Sequence, residues 1–379
     1  MSSENRHAEV AGAGIAGLAV ATALAQRGWD VTVHERFPTV REVGAGIALG
    51  RNGVEALAAL GALEETIADG QEISSWSIGD EWGRTVQDEK VGAGMLYSCR
   101  RESLQRALLH AAERQGVNVV TDSPVTGVSN GRLLIEGGTS LPADLIVGAD
   151  GVGSRVRRSL EEEGSIRVKR IDLKAGSLRF IIPRRPEDPV TTMPEWIVGN
   201  RRVGLLPLDD ENIAMYMFCP PSDKRGRNLP LDKESWIASF PHLRSVFDRL
   251  PSEGTWLPVI ETHCSRWTVG NTALLGDAAF SMAPNMGQGG STALHVAITL
   301  ADAVSGDAPV ETALPEWESR LRDYVDYVQS WSGRYSHMVS QWPPIGRKIR
   351  SSVFARLSRS ERLASRFAGV ETRSNAMGR

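Results

Sequence analysis

The stretch Ala8-Glu9-Val10-Ala11-Gly12-Ala13-Gly14-Ile15-Ala16-Gly17-Leu18, running on through Ala25 to Val31-Thr32-Val33-His34-Glu35, reads as a strand, a glycine turn, a helix and a second strand. Leu18, Ala21, Leu24 and Ala25 fall on one face of the predicted helix, and Val31 and Val33 alternate in the strand that ends at Glu35. Each glycine has a mechanical reason. Gly12 permits the tight turn out of the strand, Gly14 lets a pyrophosphate approach bare backbone, and Gly17 lets helix and strand pack closely. The phosphates then meet the unpaired N–H groups and positive dipole of a helix N-terminus. Glu35 lies where a carboxylate accepts hydrogen bonds from ribose hydroxyls. The pattern predicts a dinucleotide-binding β-α-β unit.

Working outward, 379 residues with 41% hydrophobic and 23% charged side chains describe an ordinary globular chain. A net charge of −3 argues against nucleic acid as the main partner. The opening MSSENRHAEV has no apolar core of a secretory leader, and no run approaches the ~18 apolar residues of a membrane span. Cys99, Cys219 and Cys264 are far apart and fit neither a CxxC nor a zinc pattern, so free thiols in a reducing cytoplasm are expected, with no metal.

Further along, Gly44 and Gly46 permit close backbone approach to something flat or bulky, and Asn52 to Leu63 reads as a helix ending at a Gly61 cap. Residues 71–98 suggest strands around a Gly83-Arg84 turn. Arg101 opens a helix against the sense of the macrodipole, which hints at an anionic or polar partner, with a solvated arginine as the alternative. Asn130-Gly131 is a hairpin turn between strands. A buried strand, Leu145 to Val147, delivers Asp150-Gly151 and a helix capped by Ser154. From Arg167 to Pro258 the longer alternating segments Lys174–Pro183, Glu195–Pro207 and Asn212–Pro220 predict a mostly antiparallel sheet able to roof a cavity. Alternation puts Arg202, Gly204 and Leu206 on one face and Arg201 on the other. A third strand-loop-helix follows at Thr272 to Ala293, and Leu314, Trp317, Leu321, Tyr324 and Val328 space out a helical packing face. For the basic segment Arg347 to Arg366 a solvated face is expected over a membrane or partner helix.

With GAGIAG at Gly12–Gly17 followed by Glu35-Arg36, GADGVGSRVR at Gly148–Arg157 and GDAAFSMAPNMGQGG at Gly276–Gly290, the chain resembles the single-component FAD-dependent aromatic hydroxylases typified by p-hydroxybenzoate and salicylate hydroxylases. Among these it is similar to the pyridine-ring oxygenases acting on 2-methyl-3-hydroxypyridine-5-carboxylate or 5-pyridoxate. The resemblance implies an α/β, Rossmann-like FAD-binding fold of the p-hydroxybenzoate hydroxylase type with an inserted antiparallel substrate sheet and C-terminal helices. The corresponding bounds are 1–166 for the FAD-binding domain with a substrate-sheet excursion at 71–98, 167–262 for the substrate sheet, 263–312 for the second half of the FAD domain and 313–379 for the helical region.

Carried over by motif, Gly12, Gly14 and Gly17 hold the FAD pyrophosphate and Glu35 the adenosine ribose; Arg36, Arg41 and Arg101 match the adenosine or phosphate side, and Val125 a backbone contact to adenine. Gly46 also falls to the cofactor. Asp150 belongs to a motif linked to FAD and the reduced nicotinamide. Asp277 matches the ribityl and pyrophosphate region, and Pro284, Gly287, Gln288 and Gly289 line the isoalloxazine. Phe280 and Ser291 depart from a frequent histidine and asparagine, which implies a more apolar pocket.

The implied activity is an NAD(P)H- and O₂-dependent monooxygenase that hydroxylates, or oxygenates and opens, a small hydroxylated aromatic or pyridine carboxylate through a C4a-hydroperoxyflavin. Its partners are the substrate, O₂ and a transient NADH or NADPH, in a cytoplasmic monomer or homodimer. Arg202 is the candidate receptor of the substrate carboxylate and Tyr216 the group that orients the ring hydroxyl, the alternatives being an exposed arginine and a core tyrosine. The competing readings are a hydroxylase of a larger aromatic natural product, a flavin oxidase that inserts no oxygen, and a NAD-dependent dehydrogenase using the first motif alone.

Overall fold

The strand that leads into the first glycine turn, His7–Ala11, lies at the centre of a six-stranded sheet. Its neighbours on one side are Asp30–His34 and Asn118–Val120; on the other are Leu145–Gly148, Thr272–Leu274 and Thr268–Val269. All pairings are parallel except the last. Val10, Val31, Val33 and the run Leu145 to Val147 are almost wholly buried, as parallel strands covered on both faces require. This computed structural model describes residues 6–41, 44–343, 346 and 349. The basic segment from Arg347 to Arg366 therefore falls outside the described residues, apart from Ile349.

The helix Ile15–Ala25 is buried nearly all round, not only on the stripe that its spacing suggested. Its alanines let the helices Arg101–Arg114 and Gly289–Val304 close on it from the sides away from the sheet. The Asn130-Gly131 turn forms as read: both residues have positive φ, and Arg132 pairs with Ser129 across it.

A seven-stranded sheet forms the roof, in the order Leu257–Cys264, Val168–Pro183, Asn212–Cys219, Arg201–Pro207, Thr192–Val198, Ser75–Asp80, Thr85–Lys90. Ser75–Asp80 and Thr85–Lys90 thus reach the roof from an early part of the chain. The neighbouring Gln71–Glu72 and Leu96–Arg100 pair instead in a small sheet with Gly46–Gly50. The segment read as one strand from Glu195 to Pro207 is a hairpin, folded at Gly199-Asn200, where Gly199 adopts a φ of 60°. One face of the roof is sealed by Trp236, Phe240 and Phe247 against Leu178, Phe180, Val203, Met215 and Met217. The other face looks toward the glycine turns.

The 31-residue helix Val310–Ser340 buries Leu314, Trp317, Leu321, Tyr324 and Val328, the face its spacing predicted. It also ties roof to floor. Gln329 donates from Nε2 to the carbonyls of Thr262 (2.9 Å) and Ser281 (2.8 Å), and Gln341 to that of Leu173 (2.7 Å). The three cysteines are free and buried; burial pushes the Cys99 thiol up to about 12 and those of Cys219 and Cys264 to about 11. None is a nucleophile at neutral pH.

Candidate cofactor and substrate site

The three glycine-bearing motifs, far apart in sequence, converge on one cleft. At Gly12, which has a φ of 97°, an added Cβ would stand 2.8 Å from the Ala149 carbonyl of the second motif. Gly276 of the third motif comes as close to Ala16: a Cβ there would lie 2.9 Å from the Ala16 Cβ. Arg157, buried, donates from Nη1 to the Ala278 carbonyl at 2.7 Å and from Nη2 to that of Val152 at 2.7 Å, so it clamps the second motif to the third.

The first turn is held from both sides. The Ala13 N–H donates to Glu35 Oε2 at 3.0 Å, while its carbonyl accepts from Gln105 Nε2 at 2.9 Å. The Phe37 N–H donates to Glu35 Oε1 at 3.0 Å, which fixes the carboxylate in one orientation with lone pairs to spare. Arg36 and Arg41 both lie over the Phe37 ring, 4.6 and 5.8 Å from its centre. Val125 opens the strand Val125–Ser129, two residues beyond Ser123, whose N–H donates to the Glu35 carbonyl.

This geometry fits a bound dinucleotide. A Cβ placed on Gly14 would meet nothing within 4 Å, and Gly14 caps the helix Ile15–Ala25 with no side-chain hydrogen bond and no acidic residue in its first turn. That open cradle of N–H groups suits an anion. Asp150 accepts from the N–H groups of Arg155 (2.6 Å) and Val156 (3.3 Å) through Oδ2, while Oδ1 is buried with no hydrogen-bond partner, an acceptor waiting for a donor. Ser154 caps the same helix as predicted, accepting from the Arg157 N–H at 2.9 Å.

Gly44 and Gly46 do allow close approach, but by the protein itself. A Cβ on Gly44 would lie 2.7 Å from Arg101 Cδ, and one on Gly46 would lie 2.4 Å from Leu208 Cδ2 of the roof. Gly46 thus seats the roof on the floor. Gln288 caps the helix Gly289–Val304 and accepts from Asn52 Nδ2 at 3.3 Å. Gly287, with a φ of 64°, closes the turn Pro284–Met286 by donating to the Pro284 carbonyl at 3.0 Å, and Gly289 leaves room beside Met282. The two departures do not open onto the cleft. Phe280 is buried with its ring 5.1 Å from that of Trp267, and Ser291 is fully buried against Gly53, so the expected more apolar pocket does not follow from them.

The roof corrects the expectation for Arg202. Its side chain lies on the face opposite to Arg201, as alternation required, but its guanidinium is already satisfied. Nε donates to Glu195 Oε2 at 2.6 Å and Nη2 to Glu195 Oε1 at 2.7 Å. Nη1 donates to Asn285 Oδ1 in the loop of the third motif, and the rings of Tyr216, Phe218 and Tyr335 surround the charge. Arg202 is only 3% exposed. A buried bidentate pair of this kind holds the roof to the flavin loop and has no fork left for a substrate carboxylate. Arg201 is likewise paired, with Asp223, on the far face.

Tyr216 is half-buried and donates its hydroxyl to Glu195 Oε1 at 2.6 Å. Burial and the Glu195 charge raise its pKa well above the usual tyrosine value, so it stays a neutral phenol that accepts a hydrogen bond from a ligand and does not remove its proton. Its ring lies over Gly204, where a Cβ would come 2.1 Å from Tyr216 Cζ. Gly204→Ala is therefore expected to destabilise the fold by about 1–3 kcal/mol through overpacking. Adding Tyr216→Ala should recover most of that loss in urea unfolding, since the three nearest atoms to the added methyl group all belong to that side chain.

Four participants escaped the sequence reading. Gln105 stands one helical turn after Arg101, a spacing that would have found it. Glu195 becomes a diagonal neighbour of Arg202 only once the hairpin turn at Gly199 is known. Asn285 lies inside the third motif, but nothing local in that motif points it at a roof arginine. Arg179, on Val168–Pro183, pairs in register with Tyr216 and shares its face; no motif marks it.

The FAD binding domain family model matches residues 7–315. A 2-heptyl-3-hydroxy-4(1H)-quinolone synthase of Mycobacteroides abscessus is 36% identical over 369 residues, covering 95% of this chain and 96% of that protein. A putative 2-heptyl-3-hydroxy-4(1H)-quinolone synthase of Rhodococcus erythropolis is 37% identical over 340 residues, 88% of each chain. Among solved structures, the tetrameric form of 2-methyl-3-hydroxypyridine-5-carboxylic acid oxygenase superposes with a TM-score of 0.83 at 33% identity, covering 88% of this chain and 91% of that one. No helix among the described residues is long and apolar enough to cross a membrane, and no group of metal-ligating side chains is found among them.

Proposed function

The chain belongs to the FAD binding domain family and is an FAD-dependent aromatic-ring monooxygenase, and from that premise we propose that its substrate is a 2-alkyl-4(1H)-quinolone, hydroxylated at C3. The observation that carries this choice over a small pyridine carboxylate is the similarity to quinolone synthases over nearly the whole chain, and the closed Arg202–Glu195 pair removes the one residue expected to receive a carboxylate. A quinolone has no carboxylate.

In this reading Gly12, Gly14 and Gly17 with the first N–H groups of Ile15–Ala25 hold the FAD pyrophosphate, and Glu35 the adenosine ribose, with Arg36, Arg41, Arg101 and Val125 on the adenosine and phosphate side. Asp150, whose Oδ1 awaits a donor, serves FAD and the reduced nicotinamide, Asp277 binds the ribityl and pyrophosphate region, and Pro284 with Gly287, Gln288 and Gly289 lines the ring. Bound FAD supplies the redox chemistry, with NADH or NADPH as reductant and O₂ as the source of the inserted oxygen. The chain orients the substrate and keeps the cleft dry. Tyr216, neutral and fixed by Glu195, offers a lone pair to a ring N–H or O–H, and Phe218 and Ala283 exclude water from the roof side.

The test is NADH and NADPH oxidation by the FAD-loaded protein with 2-heptyl-4(1H)-quinolone, hydroxypyridine carboxylates and hydroxybenzoates, with H₂O₂ measured alongside. The expected result is stimulation by the quinolone with little peroxide and a product heavier by one oxygen at C3. Coupled turnover of a pyridine carboxylate with none of the quinolone would overturn the assignment.

A further inference from the structure

The arginines at the centre of the roof differ in one respect. Arg201 and Arg202 are each saturated by a carboxylate, whereas Arg179 makes no hydrogen bond or ion pair among the described residues. Its side chain is nonetheless on the inner face. The flanking Leu178 and Phe180 point into the opposite, apolar core, while Ile181, two residues on, packs toward Ala45 with Leu206 and Ala214. Arg179 stands directly across from Tyr216 in the strand register, next to the ring-orienting position.

The guanidinium keeps accessible surface but is ringed by protein, so desolvation lowers its pKa; Arg101 adds repulsion, and Asp277 alone opposes it. Arg101 and Asp277 come from the floor motifs, so Arg179 reaches across the cleft toward them. A cation whose one nearby carboxylate, Asp277, makes no hydrogen bond to it keeps its donors for a ligand.

Building on the quinolone reading, we propose that Arg179 is the residue that binds the exocyclic oxygen of the substrate ring and holds it as the oxyanion. Loss of the ring proton to solvent places negative charge on that oxygen and on the adjacent ring carbon, which is the carbon to be hydroxylated. No bond other than that to the proton is broken in this step. The groups facing Arg179 are Tyr216 from the roof and Arg101 and Asp277 from the floor. Tyr216 stays neutral and Asp277 makes no hydrogen bond to Arg179, so the hydrogen-bonding complement comes from the ligand.

The test uses the FAD-loaded protein as wild type, Arg179→Met and Arg179→Lys. Binding of 2-heptyl-4(1H)-quinolone and of 4-hydroxybenzoate is read from flavin absorbance changes across pH 6 to 9, and FAD affinity from flavin fluorescence. A charge-assisted hydrogen bond leads us to expect a roughly 10- to 100-fold loss of ligand affinity in Arg179→Met. Partial recovery in Arg179→Lys, loss of the anionic absorption of the bound ring in Arg179→Met, and unchanged FAD affinity complete the expectation. Weakened FAD binding with ligand affinity intact would overturn the proposal and assign Arg179 to the cofactor. If wild type binds 4-hydroxybenzoate through Arg179 but not the quinolone, the role of Arg179 stands and the substrate reading fails. If neither ring binds to wild type, both fail.

Discussion

Glu195→Ala is expected to destabilise the protein by about 3–5 kcal/mol, the usual effect of removing one partner from a buried ion pair. Glu195 and Arg202 are 6% and 3% exposed, and the deletion leaves the Arg202 charge among Tyr216, Phe218 and Tyr335 with no carboxylate. Tyr216 simultaneously loses its only acceptor in the pair, so the ring-orienting position loosens with the fold. The double variant Glu195→Ala/Arg202→Met should be much closer to wild type, because an apolar chain suits the three rings better than an unpaired cation. Urea unfolding of the two single variants and the double variant measures this as a coupling energy. A Glu195→Ala protein within about 0.5 kcal/mol of wild type would show that the pair is not closed in solution.

Gly17→Ala and Gly14→Ala are expected to separate folding from cofactor binding. A Cβ on Gly17 would lie 1.9 Å from the Gly12 carbonyl oxygen, and Gly12 is itself pinned by donation to the His34 carbonyl and by contact with Ala149. Neither backbone can yield, so the cost should reach or exceed the ~1–3 kcal/mol of ordinary overpacking, and the purified variant should carry little flavin. Gly14 is different: its φ of −79° suits alanine, and its Cβ would enter empty space. Gly14→Ala should keep wild-type stability or gain a few tenths of a kcal/mol. Its FAD affinity should fall on the order of tenfold as the methyl group enters the cradle and lengthens hydrogen bonds to the phosphates. Thermal unfolding and the flavin-to-protein absorbance ratio distinguish the two. Equal flavin content in Gly14→Ala and wild type would remove Gly14 from the cofactor site.

Gly12, Gly14, Gly17 and Glu35 could be placed from the chain alone because every constraint on them is local: a turn angle, a helix start, a strand end a fixed distance downstream. The same holds for the Asn130-Gly131 turn, the Ser154 cap and the buried stripe of Val310–Ser340. The roof arginines were harder. Alternation separated the faces of Arg201 and Arg202, yet the partners of Arg202 depend on a hairpin register, which brings Glu195, and on a loop 83 residues away in the chain, which brings Asn285. A strand pattern is blind to such partners. Phe280 and Ser291 stood in a cofactor motif by sequence and face the core by packing.

The sequence by itself therefore determined the β-α-β unit, the family and the cofactor, since a few backbone conformations and a phosphate-binding helix start admit few alternatives at that spacing. Only the tertiary structure decided which polar side chains remain available to a ligand. Hydrogen-bonding capacity is finite, and Glu195 uses up Arg202 while no carboxylate among the described residues hydrogen-bonds Arg179. That difference arises from long-range pairing, where two chemically identical guanidinium groups on one sheet are given different partners by the strands beside them.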